Sequence, residues 1–220
     1  MEEERTRNYS SFLKVGEKKH MESLINKGIV FTRPIQYYRQ IENKNLQGDP
    51  NEGSAYIKQI KHLELSIEGK VIGIAPKGQI YLTHPEDQGN IFCLYGVETN
   101  SLNFELKRLQ KFNFNLSGLS FGETAILIFD PMEFIIRVEK AAKLKGFDIQ
   151  YAPVNYFDPT THEGELSPFW KSSRYADQKE VRLWIPNKLN QDLTFEVGNL
   201  SDICVLVSVD EIDTLEYQPL

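Results

Sequence analysis

The sequence predicts a single mixed α+β domain spanning residues 1–220, and three observations carry that expectation. Strand-period and helix-period apolar patterns alternate along the chain with no internal repeat and no linker-like stretch. Short strand patterns broken by turn residues crowd residues 55–81, the mark of antiparallel pairing. One junction, Thr124 to Gly146, passes from strand through cap to helix with every local signal in agreement.

The elements follow in order. Tyr9–Val15 reads as a first strand, with Phe12 and Lys14 on one face by alternation. Lys18–Lys27 reads as a helix whose stripe is Met21, Leu24 and Ile25, with Gly28 placed for a left-handed C-cap. Ile29–Phe31 gives a second strand that Pro34 stops, and Ile35, Tyr38 and Ile41 mark one face of a second helix. Asn43–Ser54 is dense in Gly, Asp, Pro and Asn and reads as a loop. From Ala55 to Tyr81 the pattern predicts a β-meander, with turns at Glu68-Gly69-Lys70 and Pro76-Lys77-Gly78. Ile91–Val97 is a continuous apolar run of strand length, as in strands buried on both faces. Residues 101–118 carry no clear pattern. Thr124–Phe129 is a strand, and Asp130-Pro131-Met132-Glu133 then joins an N-cap, a proline at the first helical position and a capping-box glutamate. Phe134, Ile135, Val138, Ala141 and Ala142 recur at helical spacing up to Gly146. Strands at 147–154, 180–185, 193–197 and 203–209 complete the chain, with Val181, Leu183 and Ile185 facing the core.

Composition narrows the classes of function. Hydrophobic content of 40% and charged content of 25% are ordinary for a globular protein, and a net charge of −6 argues against a general electrostatic grip on nucleic acid. The basic runs at Lys18, Lys19 and His20 and at Lys107, Arg108 and Lys111 read as solvated helix faces. Cys93 and Cys204 lie far apart in apolar runs and are expected to be reduced and buried. The four histidines show no metal-ligand spacing, so no metal is predicted. No apolar run approaches the ~20 residues that span a bilayer, and the charged N-terminus lacks a secretory h-region; a cytoplasmic protein without membrane contact is expected.

The candidate site begins at the strand opening with Glu180. A loop rich in polar and aromatic residues (Trp170, Lys171, Arg174, Tyr175) feeds into it, and Gln178 and Glu180, two apart, project from one face, expected to open onto a cleft with Tyr175 at its rim and Lys14 and either Cys93 or Tyr95 across its floor. Two readings stay open: Glu180 binds a ribose hydroxyl or stabilises a cationic transition state, or it pairs with Arg182 or a neighbouring strand. Asp49 and Glu52, in the turn Asp49-Pro50-Asn51-Glu52, could serve as metal ligands or simply close a turn. Tyr37 and Tyr38, with Arg33 and Arg39, could stack on a nucleobase or pack a helix face. Lys14 and Cys93, on strands near the sheet centre, each need a partner or a ligand.

Gln178-Lys179-Glu180, preceded by the aromatic loop with Tyr175, resembles the Q-x-E motif of ADP-ribosyltransferase-fold enzymes. The wider layout is similar to bacterial families of unknown function, and more distantly to DNA-modifying toxins. Those families share a G-x-x-F strand (here Gly28-Ile29-Val30-Phe31), a D-P-x-E turn (Asp49 to Glu52) and a closing Y-x-x-x-x-E-x-R (Tyr175, Glu180, Arg182). The resemblance implies a split or strongly bent, mostly antiparallel sheet with a few flanking helices, and NAD as substrate. It implies that Glu180 contacts the nicotinamide ribose and promotes departure of the base, while Gln178 and the aromatic loop choose the acceptor. Lys14 then stands where the family has Arg or His, and Cys93 or Tyr95 where it has Ser or Tyr. Phosphate or amide recognition falls to Lys14 or Arg33, with Tyr38 and Lys171 beside the cofactor and Tyr175 or Tyr95 stacking on nicotinamide. By the resemblance, the protein transfers ADP-ribose to a macromolecule or hydrolyses NAD, as a toxin or phage-conflict effector. The alternative is a non-catalytic module of the same fold that binds a nucleotide or a protein.

Overall fold

A computed structural model describes residues 9–41, 48–85, 88–103, 108–112, 114 and 121–218. The charged N-terminal run, residues 43–47, Lys107 and parts of the unassigned 101–118 stretch lie outside the described residues. The elements run β1 (Tyr9–Gly16), α1 (Lys18–Lys27), β2 (Ile29–Pro34), α2 (Ile35–Gln40), β3 (Tyr56–Ile60), β4 (Leu63–Ile67), β5 (Lys70–Ala75), β6 (Gly78–Leu82), β7 (Gly89–Glu98), β8 (Gln110–Lys111) and β9 (Thr124–Ile128). They continue with α3 (Pro131–Leu144), β10 (Gln150–Pro153), β11 (Asn155–Phe157), β12 (Gly164–Glu165), β13 (Trp170–Ser172), β14 (Glu180–Pro186), β15 (Leu193–Glu196), β16 (Cys204–Ser208) and β17 (Glu216–Tyr217). The class is mixed α+β with mostly antiparallel pairing; β11 and β13 pair in parallel.

The main sheet forks at β7. Along one edge, β7 pairs with β14 from Gly89↔Pro186 to Tyr95↔Glu180. The other edge serves two strands in turn: β2 at Asn90 and Ile91, then β1 from Tyr95 to Glu98. Between them, Phe92, Cys93 and Leu94 meet no strand on that edge among the described residues. From the fork one branch runs β1-β9-β16 and the other β2-β15. An unpaired carbonyl inside a protein costs about as much as a lost hydrogen bond. Here Lys14 Nζ donates to the Cys93 carbonyl at 2.8 Å and closes the gap.

Helices α1 and α3 cover one face. Met21, Leu24 and Ile25 of α1, and Phe134, Ile135, Val138 and Ala142 of α3, pack with Phe12, Phe92, Leu94, Val181, Leu183 and Ile185 in the largest apolar cluster. Gly28 caps α1 at φ 65°, where a Cβ would lie 1.9 Å from the Gly198 carbonyl oxygen. Asp130 caps α3 by accepting from the Glu133 N–H at 3.0 Å, with Pro131 in the first turn. On the opposite face, Leu13, Val15, Tyr95, Val97, Ala125 and Leu127 form a second cluster. A third joins Ile35 of α2 to Ile91 and Trp184.

The meander expected at 55–81 is instead a two-stranded ribbon. The register runs from Tyr56↔Leu82 through Ile60↔Gly78 to Leu63↔Ala75 and Leu65↔Gly73, so β3-β4 go out and β5-β6 return. Only Glu68-Gly69, with φ of 48° and 78°, reverses the chain. Pro76-Lys77, read as a second reversal, marks a break within the returning strand. The ribbon's base joins β12.

Candidate functional site

Alternation along β14 sends Val181, Leu183 and Ile185 into the main core and Glu180, Arg182 and Trp184 to the opposite face. That second face is also buried, because α2, the Asp49–Ser54 turn and the 168–171 segment roof it: Glu180 is 4% exposed and Arg182 0%. Charges placed there must find partners. Arg182 Nε donates to Glu180 Oε1 at 2.7 Å, and Arg182 Nη1 donates to Glu52 Oε1 at 2.8 Å and to the Pro168 carbonyl. Lys171 Nζ donates to Glu180 Oε2 at 2.8 Å and to Gln178 Oε1 at 2.9 Å, and lies 3.8 Å from Glu52 Oε2. The Tyr156 hydroxyl accepts from the Glu180 N–H at 2.8 Å. Arg182 Nη2 is buried without a hydrogen-bond partner among the described residues.

The turn carrying Glu52 is fixed in its own right. Arg39 of α2 donates to the Glu52 carbonyl at 2.5 Å and the Gly53 carbonyl at 2.9 Å, and Gly53 takes a φ of 62° against Ile35. Asp49 Oδ1 accepts from the Asn51 N–H at 3.0 Å, the geometry of an Asx turn.

Electrostatics follow from the packing. Burial pushes the Glu180 carboxyl up, but Arg182 and Lys171, with hydrogen bonds from Arg182 and Cys93, outweigh it and hold the group well below the usual carboxylate range. Burial lowers Lys171, yet Glu180 and Glu52 leave it raised, so the ammonium stays charged. Lys14 is lowered by burial, partly offset by Cys93 and Glu180. Burial pushes the Cys93 thiol up to about 12, with Glu180 adding to it. Tyr38 is raised well above its ordinary value by burial and then by Cys93, Glu180 and Glu52.

A cleft of about 180 Å³ adjoins this network, lined by Asp49, Tyr81, Phe157, Trp170, Lys171 and Arg174 among others. Ligand pockets commonly enclose about 300–1,000 Å³, so in this conformation it has room for one ring-sized group and not for a dinucleotide. Burial and then Glu52 raise the Asp49 carboxyl. Among the described residues, Lys171 is the network member that lines the cleft.

Placed against the sequence expectations, Gln178 and Glu180 share one partner, Lys171, and Lys14 and Tyr38 each lie close enough to Cys93 and Glu180 to be perturbed by them. Three expectations are corrected. Glu180 was to open onto a cleft; it is enclosed, because both carboxylate oxygens are taken by cations beneath the roof of α2 and the Asp49–Ser54 turn. Tyr175, expected at the rim, is 1% exposed, its hydroxyl donating to the Gly48 carbonyl at 2.9 Å and its ring under Lys171. Tyr95, expected on the cleft floor, packs in the cluster around Leu13 and Phe114. Arg33 stands over the Tyr37 ring at 4.0 Å, outside the network. Cys204 is free and buried; Cys93 is free and half-buried, its thiol the enclosed part. Glu52, considered for metal binding, faces Arg182 and Lys171 instead. Its pairing with Arg182 is 130 residues distant in sequence, and no local pattern announces it.

No family model, curated protein or solved structure matches the chain. The helices of the described residues include none long and apolar enough to cross a membrane.

Proposed function

We propose that this chain is an NAD-consuming enzyme, an ADP-ribosyltransferase or NAD glycohydrolase, whose reactive carboxylate is Glu180. The observation that carries the reading is a carboxylate held ionised at the start of β14, sharing Lys171 with Gln178, in a network that buries four charged side chains. Buried ion pairs are poor stabilisers compared with apolar packing, while perturbed, clustered titratable groups concentrate at functional sites. The unpartnered Arg182 Nη2 supports a ligand there, since it offers a buried donor to an incoming acceptor.

In this reading the C1′–N bond to nicotinamide breaks and its electron pair leaves with the base. Positive charge develops on the ribose ring, and Glu180 stabilises it as it forms. An acceptor hydroxyl or water then bonds to C1′ and loses its proton. Access comes through the adjoining cleft, whose Lys171 must leave Glu180 Oε2, because an ammonium 2.8 Å from the carboxylate opposes a second cation there. In this reading the described conformation is the closed resting form.

The full occupancy of Glu180 by Arg182 and Lys171 favours a second reading, a non-catalytic nucleotide- or protein-binding module of this fold. Incubation with NAD labelled in the nicotinamide ring decides between them. The enzyme reading requires release of labelled nicotinamide above a boiled control; NAD binding without release supports the module.

A further inference from the structure

The cleft of about 180 Å³ carries a pair of groups that the network beside it does not use. Asp49 is 4% exposed, yet only its Oδ1 is engaged. That oxygen accepts from the Asn51 N–H at 3.0 Å and lies 3.7 Å from Arg174 Nη2, while Oδ2 accepts no hydrogen bond among the described residues. An enclosed carboxylate with one oxygen unanswered favours a ligand that donates. Arg174 is the complementary half. Its guanidinium lies 4.6 Å over the Tyr175 ring and Nη2 donates to the Tyr175 hydroxyl, which sets its plane. Its Nε and Nη1 donate to nothing among the described residues. Lys171, by contrast, has its ammonium engaged by Gln178 and Glu180. Trp170, whose ring centre lies 6.1 Å from that of Phe157 and 5.2 Å from that of His162, and Tyr81 add aromatic surface from separate strands.

We infer that this cleft binds a guanine base, read by Asp49 and Arg174. Guanine presents two donors, N1–H and the N2 amino group, followed along the same edge by two acceptors, O6 and N7. A carboxylate and a guanidinium side by side match that order: Asp49 takes the donors, and Arg174 forks to O6 and N7. The other bases match less well. Adenine and cytosine set a ring acceptor, N1 or N3, against the carboxylate. Uracil and thymine offer one donor and one acceptor where guanine offers two of each. Aromatic surface at Trp170 and Tyr81 suits the faces of the base. The cleft admits one base and leaves sugar and phosphate outside. This inference rests on these side chains and is independent of NAD chemistry.

Calorimetric titration of the full chain with GMP, IMP and AMP, in the absence of NAD, tests it. GMP is expected to bind about 10–100-fold more tightly than AMP, the discrimination of one good bidentate pair, with IMP, which lacks the N2 amino group, between them. Asp49→Asn keeps an acceptor for the Asn51 N–H, so the turn stays formed. Its amide donates as well as accepts, and the preference should pass from GMP to AMP. Arg174→Ala removes an exposed side chain and should weaken GMP binding about tenfold, with near-UV circular dichroism unchanged. A second arm uses single-stranded oligonucleotides with and without one guanine. Binding of the guanine-containing strand and not of GMP upholds the guanine site and makes nucleic acid its source; binding of GMP and not of the strand makes it the free nucleotide. Binding of neither, equal affinity for GMP and AMP, or an Asp49→Asn variant that still prefers GMP overturns the inference.

Discussion

Replacing Glu180 by glutamine removes one negative charge and almost no volume from the centre of the network. In the wild type, Glu180 Oε1 takes the Arg182 Nε–H and Oε2 takes the Lys171 ammonium, both below 3 Å. A glutamine amide supplies one acceptor oxygen, and its NH₂ must face the other donor. One charge-assisted hydrogen bond is lost, and two buried cations are left with Glu52 alone. Breaking a buried pair on one side costs about 3–5 kcal/mol. For a chain of this length each kcal/mol moves Tm by about 2–4 °C, so a fall on the order of 10 °C is expected. That loss fits within the ~5–15 kcal/mol of a typical domain, so the variant remains folded. The sign of the pH dependence is fixed by the depressed carboxyl. Its stabilisation is fully present above the unfolded-state value, near the ordinary 4.5, and disappears as pH falls through the lower folded-state value. The difference between wild type and Glu180→Gln should therefore be flat from neutral pH to about 5 and shrink only in stronger acid. Urea unfolding followed by the fluorescence of Trp170 and Trp184 measures it. Equal stability at pH 7, or a gap that narrows already near pH 6, would refute the reasoning.

Other outcomes follow from the same geometry. Glu52→Gln and Glu180→Gln share Arg182 and Lys171, so their effects should depart from additivity by about 0.5–3 kcal/mol in a double-mutant cycle; simple addition would dissolve the network into independent pairs. Both thiols are pushed up to about 12, chiefly by burial, so a water-soluble disulfide reagent at pH 8 should modify Cys93 and Cys204 only after unfolding. Rapid labelling of the native protein would contradict that. Gly28→Ala combines a φ of 65° with a Cβ 1.9 Å from the Gly198 oxygen, and should lose more than about 1 kcal/mol by urea titration. An unchanged midpoint would show that the α1 cap does not need glycine.

What could be read from the sequence is the part governed by neighbours a few residues apart. The Met21, Leu24 and Ile25 stripe ending at Gly28, and the step from β9 through Asp130 to α3, are local agreements of period and cap, and both stand in the structure. Period 2 also placed Val181, Leu183 and Ile185 in the core. The same alternation misled on the other face of β14. Polar residues at 180 and 182 suggested an open side, whereas that face is roofed by the nearby 168–171 segment together with α2 and the Asp49–Ser54 turn, more than 120 residues upstream, and its charges are neutralised in place. The ribbon was misread for a related reason: Pro76-Lys77-Gly78 has turn composition, but whether a break reverses a strand depends on its partner. At the candidate site, Gln178 and Glu180 were within reach because they lie two residues apart, although Gln178 closes the 3-10 turn at 173–178 and only Glu180 belongs to β14. Glu52 as the partner of Arg182 was not, since only the fold brings them together.

The most direct measurement of the central claim is nicotinamide release from NAD by wild type and by Glu180→Gln, at a temperature where both are fully folded. If Glu180 meets the developing cation, the wild type turns over NAD. Glu180→Gln then keeps much of the binding, because its shape is preserved, and loses about 10²–10³-fold in kcat. A Glu180→Gln variant with undiminished turnover, or a wild type that neither binds nor cleaves NAD, would contradict the account.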